Sequence, residues 1–324
     1  MLNLIQNENM KIFRQLSTYI MLGLLIIIVI ASGFLSKNSA PPASTNTNWK
    51  TQLTQQNTEM QKTLTQYQQN PGVGSVDVLE QASAGLEKMI KTNNYRIEHN
   101  LPPEQGKIVW GFVTDLAAGM ISVVSLFSII IAAGIVAREF NSGTIKLLLI
   151  RPLKRWKVLL SKYLAVLLFS LDALILLFIA SFIVGGIFYG LSGVGQPYLG
   201  FANGNVTEIN MLWHIFTTYA YACVNLLMMV TFAFMISTVF RSNSLAVGIS
   251  LFIMYTGNIL VALLSKYSWV KYILFANTNL TVYTDGTPVV KGMTMTFSLL
   301  VLAAYFIIFN VISWLVFIKR DVAA

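Results

Sequence analysis

Asp172 stands alone among apolar residues in LLFSLDALILLF. A carboxylate at the centre of a membrane-spanning helix costs on the order of 2.5 to 3.5 kcal/mol on insertion-based scales, so it needs protonation, a polar cavity or a partner. Two roles follow from that need. One is a place in a substrate path or a proton-linked switch. The other is a helix-to-helix hydrogen bond, for which Asn225 and Asn258 on neighbouring apolar segments are the candidate intramembrane polar partners. The second concentration of chemistry is REFNSGTIKLLLIRPLKRWKVLLSKYL, Arg138 to Leu164, a run of basic residues between two long apolar stretches.

Other chemistries find little material. His99 and His214 fall in different segments with no second ligand at metal spacing, and Cys223 is the single cysteine, so neither a metal centre nor an internal disulfide is expected. No nucleophile and base pair occurs in the apolar segments, and no G-x-x-x-x-G-K-[ST] phosphate loop is present. The glycine-rich stretches PGVGS and SGVGQP lack the lysine. The chain is therefore not expected to be an enzyme or to hold a cofactor of its own.

The elements that carry these residues are set by composition. The 324 residues are 55% hydrophobic and 11% charged, with a mean hydropathy of +0.65; soluble domains carry roughly 25% charged residues. This composition is that of an integral membrane protein. Apolar stretches of about 20 residues, the length a bilayer requires, occur at 16–36, 112–136, 158–189, 212–240, 245–264 and 295–318, which predicts an all-α polytopic fold with six transmembrane helices. The net charge of +9 lies at the ends of these spans rather than on a soluble face, so nucleic acid is not the expected partner and membrane lipid is. Lys11, Arg14, the basic stretch above, Arg241, Lys319 and Arg320 fall on one side. The positive-inside rule makes that side cytoplasmic, with both termini inside. The apolar run after Lys11 and Arg14 is long for a signal-peptide core, so cleavage is not expected.

Between the spans the sequence changes character. Residues 1–15 mix Leu2, Ile5, Ile12 and Phe13 with polar and basic residues, as an interfacial helix or a disordered tail would. Segment 37–111 begins with a polar linker. Leu53, Met60 and Tyr67 then recur every seven residues with Leu64 between, and Leu79, Ala82, Leu86 and Met89 form a second apolar stripe. This predicts an extracytoplasmic helical hairpin, either a spacer or a cap or docking surface. The outer loop 190–211, rich in Gly and Asn, reads as irregular chain. After span five, segment 265–294 carries Tyr267, Trp269, Tyr272 and Phe275 where an interfacial belt would place them, and dips toward the membrane or lies along it. Residues 241–244 form a cytoplasmic turn and 319–324 a tail. Gly134 and the pair Gly185-Gly186 are candidates for close helix approach, and the Met- and Phe-rich fourth span for an adaptable apolar lining or ordinary packing.

The segment 137–157 resembles the cytoplasmic loop of type 2 ABC exporter membrane subunits, the ABC-2 permease family. The resemblance rests on Glu139, Gly143-Thr144, the apolar Leu147-Leu148-Leu149, Pro152, Arg155 and Ser161-Lys162, with support from ENMKIFRQLSTYI, KYILFANTNL and the six-span layout. It implies that Arg138, Glu139, Asn141, Gly143, Thr144 and Lys146 form a coupling segment contacting a separate ATPase, expected in two copies, which would hold ATP and Mg. It also implies a bacterial cell membrane, a second permease subunit in a homodimer or heterodimer, and export of an amphipathic or hydrophobic substrate such as a peptide, antibiotic or lipid. Two other readings stand beside it: an ion-coupled secondary transporter built on Asp172, and a membrane sensor or scaffold whose outer hairpin binds a ligand.

Overall fold

Apolar side chains in long unbroken runs leave the backbone one way to satisfy its polar groups inside lipid, which is the α-helix. The computed structural model describes residues 1–39, 49–69, 76–101, 109–142, 154–191, 195, 197–202, 205–240, 242–284, 290 and 292–319. Among them nine long helices are found: α1 Leu2–Phe13, α2 Leu16–Ser39, α3 Trp49–Gln69, α4 Val76–Glu98, α5 Val109–Asn141, α6 Arg155–Tyr189, α7 Met211–Val239, α8 Asn243–Leu264 and α9 Met295–Lys319. Six of them, α2 and α5 to α9, are long and apolar enough to cross a membrane. The protein is an all-α, multi-pass membrane protein with one small β element.

Helices α5 and α7 form the centre, packed on each other, with α6 and α8 against α5 and α9 against α7. Small residues permit this closeness: Ala132, Ala133 and Ala137 of α5, Ala165 and Ala173 of α6, and Ala233 of α7 are fully buried. A Cβ on Gly185 of α6 would lie 3.1 Å from Val109 Cγ2 of α5, so Gly185 does mark a close helix crossing. Gly134 does not; a Cβ there would meet the side chain of Arg138 on its own helix. The methionines of the fourth span belong to the core, with Met228 and Met229 buried.

Helix α6 is continuous over 35 residues, about 52 Å at 1.5 Å per residue against roughly 30 Å of hydrocarbon. A break beside Asp172 is therefore not present.

The extramembrane elements refine the expectations. Helices α3 and α4 lie side by side, and their seam includes a polar pair of contacts. Asn57 Nδ2 donates to Asn94 Oδ1 at 2.8 Å, and Asn93 Nδ2 donates to Asn57 Oδ1 at 2.9 Å. Segment 190–211 is not wholly irregular. Tyr198–Ala202 (β1) pairs antiparallel with Asn205–Ile209 (β2), with Ala202 opposite Asn205. The two residues left between the strands are Asn203-Gly204, the dipeptide that favours two-residue hairpin turns. Tyr95 of α4 donates to Glu208 of β2 at 3.3 Å, tying ribbon to hairpin.

Segment 265–294 forms short helical turns at Ser268–Tyr272, Leu274–Asn277 and Leu280–Tyr283. Tyr267, Trp269 and Tyr272 are exposed, as an interfacial belt requires. Phe275 departs from that belt, packing inward over Gly257 of α8, where any Cβ would collide with its ring. Buried Asn277 staples the segment, donating to the carbonyls of Lys271 and Ile273 at 2.8 Å each and accepting from Ser298 Oγ of α9 at 2.7 Å.

Candidate functional site

The strongest concentration of buried charge lies where α1, the end of α5 and the beginning of α6 meet. Lys162 sits two turns into α6, past the exposed Lys154 and the half-buried Arg155 and Lys157. Its side chain is 0% exposed. A fully buried ammonium must be paired and hydrogen-bonded, and Lys162 Nζ is: it lies 2.7 Å from Glu8 Oε2 of α1 and 2.6 Å from Glu139 Oε1 of α5. Lys11 Nζ bridges the same two carboxylates, bonding Glu8 one turn before it and Glu139 Oε1 at 3.2 Å. Two cations and two anions thus form a neutral group.

The positioning of these side chains follows from helix periodicity. Glu8 and Ile12 stand four residues apart and share the buried face of α1. Thr18 Oγ1 donates to the carbonyl of Ile12 at 2.6 Å, tying the end of α1 to α2. Gln15 Oε1 accepts from Arg138 Nη1 at 2.6 Å. On the other flank, Ser237 Oγ of α7 accepts from the backbone amides of Val136 and Ala137, at 3.3 and 3.1 Å. The last turns of α5 are therefore gripped by α1, α6 and α7 together. Arg155 Nη1 donates to the carbonyl of Ile318 at 3.1 Å, which places the end of α9 at this same end of the bundle.

Charge state follows environment. Burial by itself would raise the Glu8 carboxyl, but the charge of Lys162 and the hydrogen bonds of Lys11 and Lys162 outweigh it and hold Glu8 below its ordinary value. Burial would lower Lys11, and the hydrogen bond and charge of Glu8, with the charge of Glu139, raise it instead. Both shifts favour the charged forms of Glu8 and Lys11.

Of the coupling residues expected from sequence, Glu139 lies in this group, Arg138 lies next to it and bonds Gln15 instead, and Asn141, the final residue of α5, is exposed. Gly143, Thr144 and Lys146 lie outside the described residues. The intramembrane polar residues do not come together. Asp172 is exposed on the outer face of α6, and among the described residues it bonds to neither Asn225 nor Asn258. Asn258 is exposed on α8, whereas the Oδ1 of Asn225 is buried and accepts no hydrogen bond among the described residues. Among those residues no three His, Cys, Asp or Glu side chains are grouped as metal ligands.

Residues 83–323 match a family model described as a protein of unknown function, DUF2705. The chain belongs to the DUF2705 family. It is 47% identical over 326 residues to the uncharacterized protein YhcI of Bacillus subtilis strain 168, an alignment that takes in 100% of both chains. It is also 36% identical over 198 residues to the uncharacterized membrane protein YdbK of the same strain, covering 60% of this chain and 76% of that one. These descriptions agree with a multi-pass membrane protein and name no substrate.

Three members of the charge cluster in this DUF2705 chain, Glu8, Lys11 and Lys162, are not among the site residues expected from the sequence. A signal exists. Lys162 lies deeper in its apolar run than any other cation of that stretch, and among the described residues Glu8 and Glu139 are the carboxylates that reach it. A buried lysine there has few carboxylates to choose from.

Proposed function

We propose that this DUF2705 protein is the permease subunit of an ATP-driven exporter, working with a separate ATPase that supplies ATP and Mg. The observation that carries the reading is the Lys162 ion-pair group. It joins the end of α5, from which the chain runs into segment 143–153, to α1 and α6. A push delivered to that segment reaches three helices at once. Removing one member of a buried ion pair costs about 3 to 5 kcal/mol, so these helix ends move as one body rather than separately. In this reading the basic end is cytoplasmic, as its lysines and arginines favour, and the α3/α4 hairpin with its β ribbon stands outside the cell.

The outward position of Asp172 supports a second permease subunit, identical or related. A mid-span carboxylate facing lipid carries the insertion cost noted above, and a neighbouring subunit offers it cover. The same position disfavours the secondary-transporter reading, which wants Asp172 in an interior path. The apolar, methionine-rich centre suits an amphipathic or hydrophobic cargo.

The deciding experiment is co-purification of the chain from its native membranes with any ATPase bound to it, followed by ATP hydrolysis in nanodiscs. Association together with hydrolysis that depends on Glu139, lost in Glu139→Ala, is the expected outcome. Failure of any ATPase to associate sinks the exporter reading. Association with hydrolysis unaffected by Glu139→Ala keeps the class of protein but removes the ion-pair group as its coupling point.

A further inference from the structure

A groove of about 310 Å³ opens on the outer surface of the bundle between α6, α7 and α9, close to the basic end. Its floor is formed by Leu159, Tyr163 and Phe234, all buried, and its walls by Trp156, Leu160 and Trp314, all exposed. Three polar side chains line it, and each has its donor committed to the protein. The Tyr163 and Thr231 hydroxyls are bonded to each other at 2.8 Å, Asn310 Nδ2 donates to the carbonyl of Phe306, and Ser313 Oγ donates to that of Phe309. The groove therefore asks nothing polar of its occupant. The helices that frame it, α6, α7 and α9, are all long and apolar enough to cross a membrane.

Its mouth is different in kind. Lys157 Nζ lies 5.7 Å from the centre of the Trp156 ring, a cation held over the groove's own wall. Lys154 is one turn before Lys157 at the start of α6, and Lys319 ends α9 five residues beyond Trp314. The hydrogen bond from Arg155 to the Ile318 carbonyl brings these two helix ends together. An apolar groove thus lies beside helix ends that carry Lys154, Lys157 and Lys319, and lysine stems can rest on apolar surface while their heads reach headgroup phosphate.

We propose that this groove is a binding site for an anionic glycerophospholipid, one acyl chain seated along Leu159, Tyr163 and Phe234 and the phosphate held by Lys154, Lys157 and Lys319. The site does not depend on the exporter reading, since it uses only the spans, the groove and its cations. It differs from bulk solvation by lipid in one measurable respect, a preference for negative headgroups.

Tryptophan quenching tests it. Of the six tryptophans, Trp156 and Trp314 line the groove, while Trp49, Trp110, Trp213 and Trp269 belong to α3, to the first turns of α5 and α7, and to the turn at 268–272. The full chain is placed in phosphatidylcholine nanodiscs containing a minor fraction of dibrominated phosphatidylglycerol or dibrominated phosphatidylcholine. A Trp156→Phe/Trp314→Phe chain gives the background to subtract. The groove-specific quenching is expected to be stronger with the brominated phosphatidylglycerol. The preference should fall by roughly fivefold for each cation removed in Lys154→Gln, Lys157→Gln and Lys319→Gln, the size of one phosphate attraction at a membrane surface. Equal quenching by the two lipids overturns the proposal. So does an absence of groove-specific quenching by either lipid, which, accompanied by a chemically cross-linked dimer, would mean that a second copy of the chain covers this face.

Discussion

Lys162 Nζ and Glu139 Oε1 are 2.6 Å apart, and the lysine is sealed from solvent on every side. The relation has an asymmetric energetic consequence. The pair itself adds little over a well-packed apolar replacement, but losing one partner leaves an uncompensated charge. Lys162→Ala leaves Glu8 and Glu139 with Lys11 as their one remaining cation in the group, an uncompensated negative charge that is expected to destabilise the basic end by about 3 to 5 kcal/mol. The combined Lys162→Met, Glu139→Gln and Glu8→Gln chain is expected to recover most of that loss. Thermal size-exclusion profiles in detergent report both. A triple variant as unstable as Lys162→Ala would mean that the charges are not the source of the defect.

The same cluster makes the seating of α1 dependent on pH from both sides. Glu8 is lowered in the folded state, so its contribution is complete above its ordinary value of 4.5 and is lost as pH falls through the lowered one. Lys11 is raised, so its contribution is complete below its ordinary value of 10.5 and is lost as pH rises through the raised one. A spin label at exposed Leu2 should accordingly be immobile across neutral pH and gain mobility at both extremes. Glu8→Gln should remove the acid transition. A label whose acid transition persists in that variant would assign it to another group.

Segment 265–294 provides a packing test away from the charges. A Cβ at Gly257 would sit 2.4 Å from Phe275 Cδ2, so Gly257→Ala forces the ring out of its place against α8. Overpacking of this kind costs about 1 to 3 kcal/mol. Adding Phe275→Leu supplies the missing room and should restore part of the thermal stability. If the double variant is worse than Gly257→Ala alone, the ring is not what the glycine accommodates.

These elements differ in how far the sequence discloses them. The six spans are legible because lipid demands long apolar helices and little else. The β ribbon is less so: Gly and Asn suggest irregular chain, and the one specific sign, Asn203-Gly204 between alternating residues, is a two-residue signal. Phe275 reads as a belt aromatic, since only the fold reveals Gly257 opposite it. The charge cluster is the hardest. Glu139 and Lys162 are 23 residues apart and Glu8 and Lys162 are 154 apart, and no local period links positions so distant. What the sequence does carry is the demand, a lysine too deep to reach water, without the address of its partners. Asp172 carries a demand of the same sort, and among the described residues it goes unanswered.

That unanswered demand leads to the remaining prediction. Asp172 shares its exposed face of α6 with Leu168, Leu171, Ile175 and Ile179, spaced at three and four residues as one helical stripe. Under the proposed function a second subunit would lie along this stripe, where the carboxylate would be buried against protein rather than hydrocarbon. In a Cys223→Ser background, Asp172→Cys and Ile175→Cys are expected to form disulfide-linked dimers in native membranes under mild oxidation. Ala173→Cys, at a position fully buried inside the chain, should not. The aspartate itself is then tested with Asp172→Leu, which removes the insertion cost while keeping an apolar contact and should leave cross-linking at 175 intact. If neither exposed position cross-links while the protein remains folded, α6 does not carry the subunit contact, and Asp172 must find its polar environment in water or lipid headgroups instead.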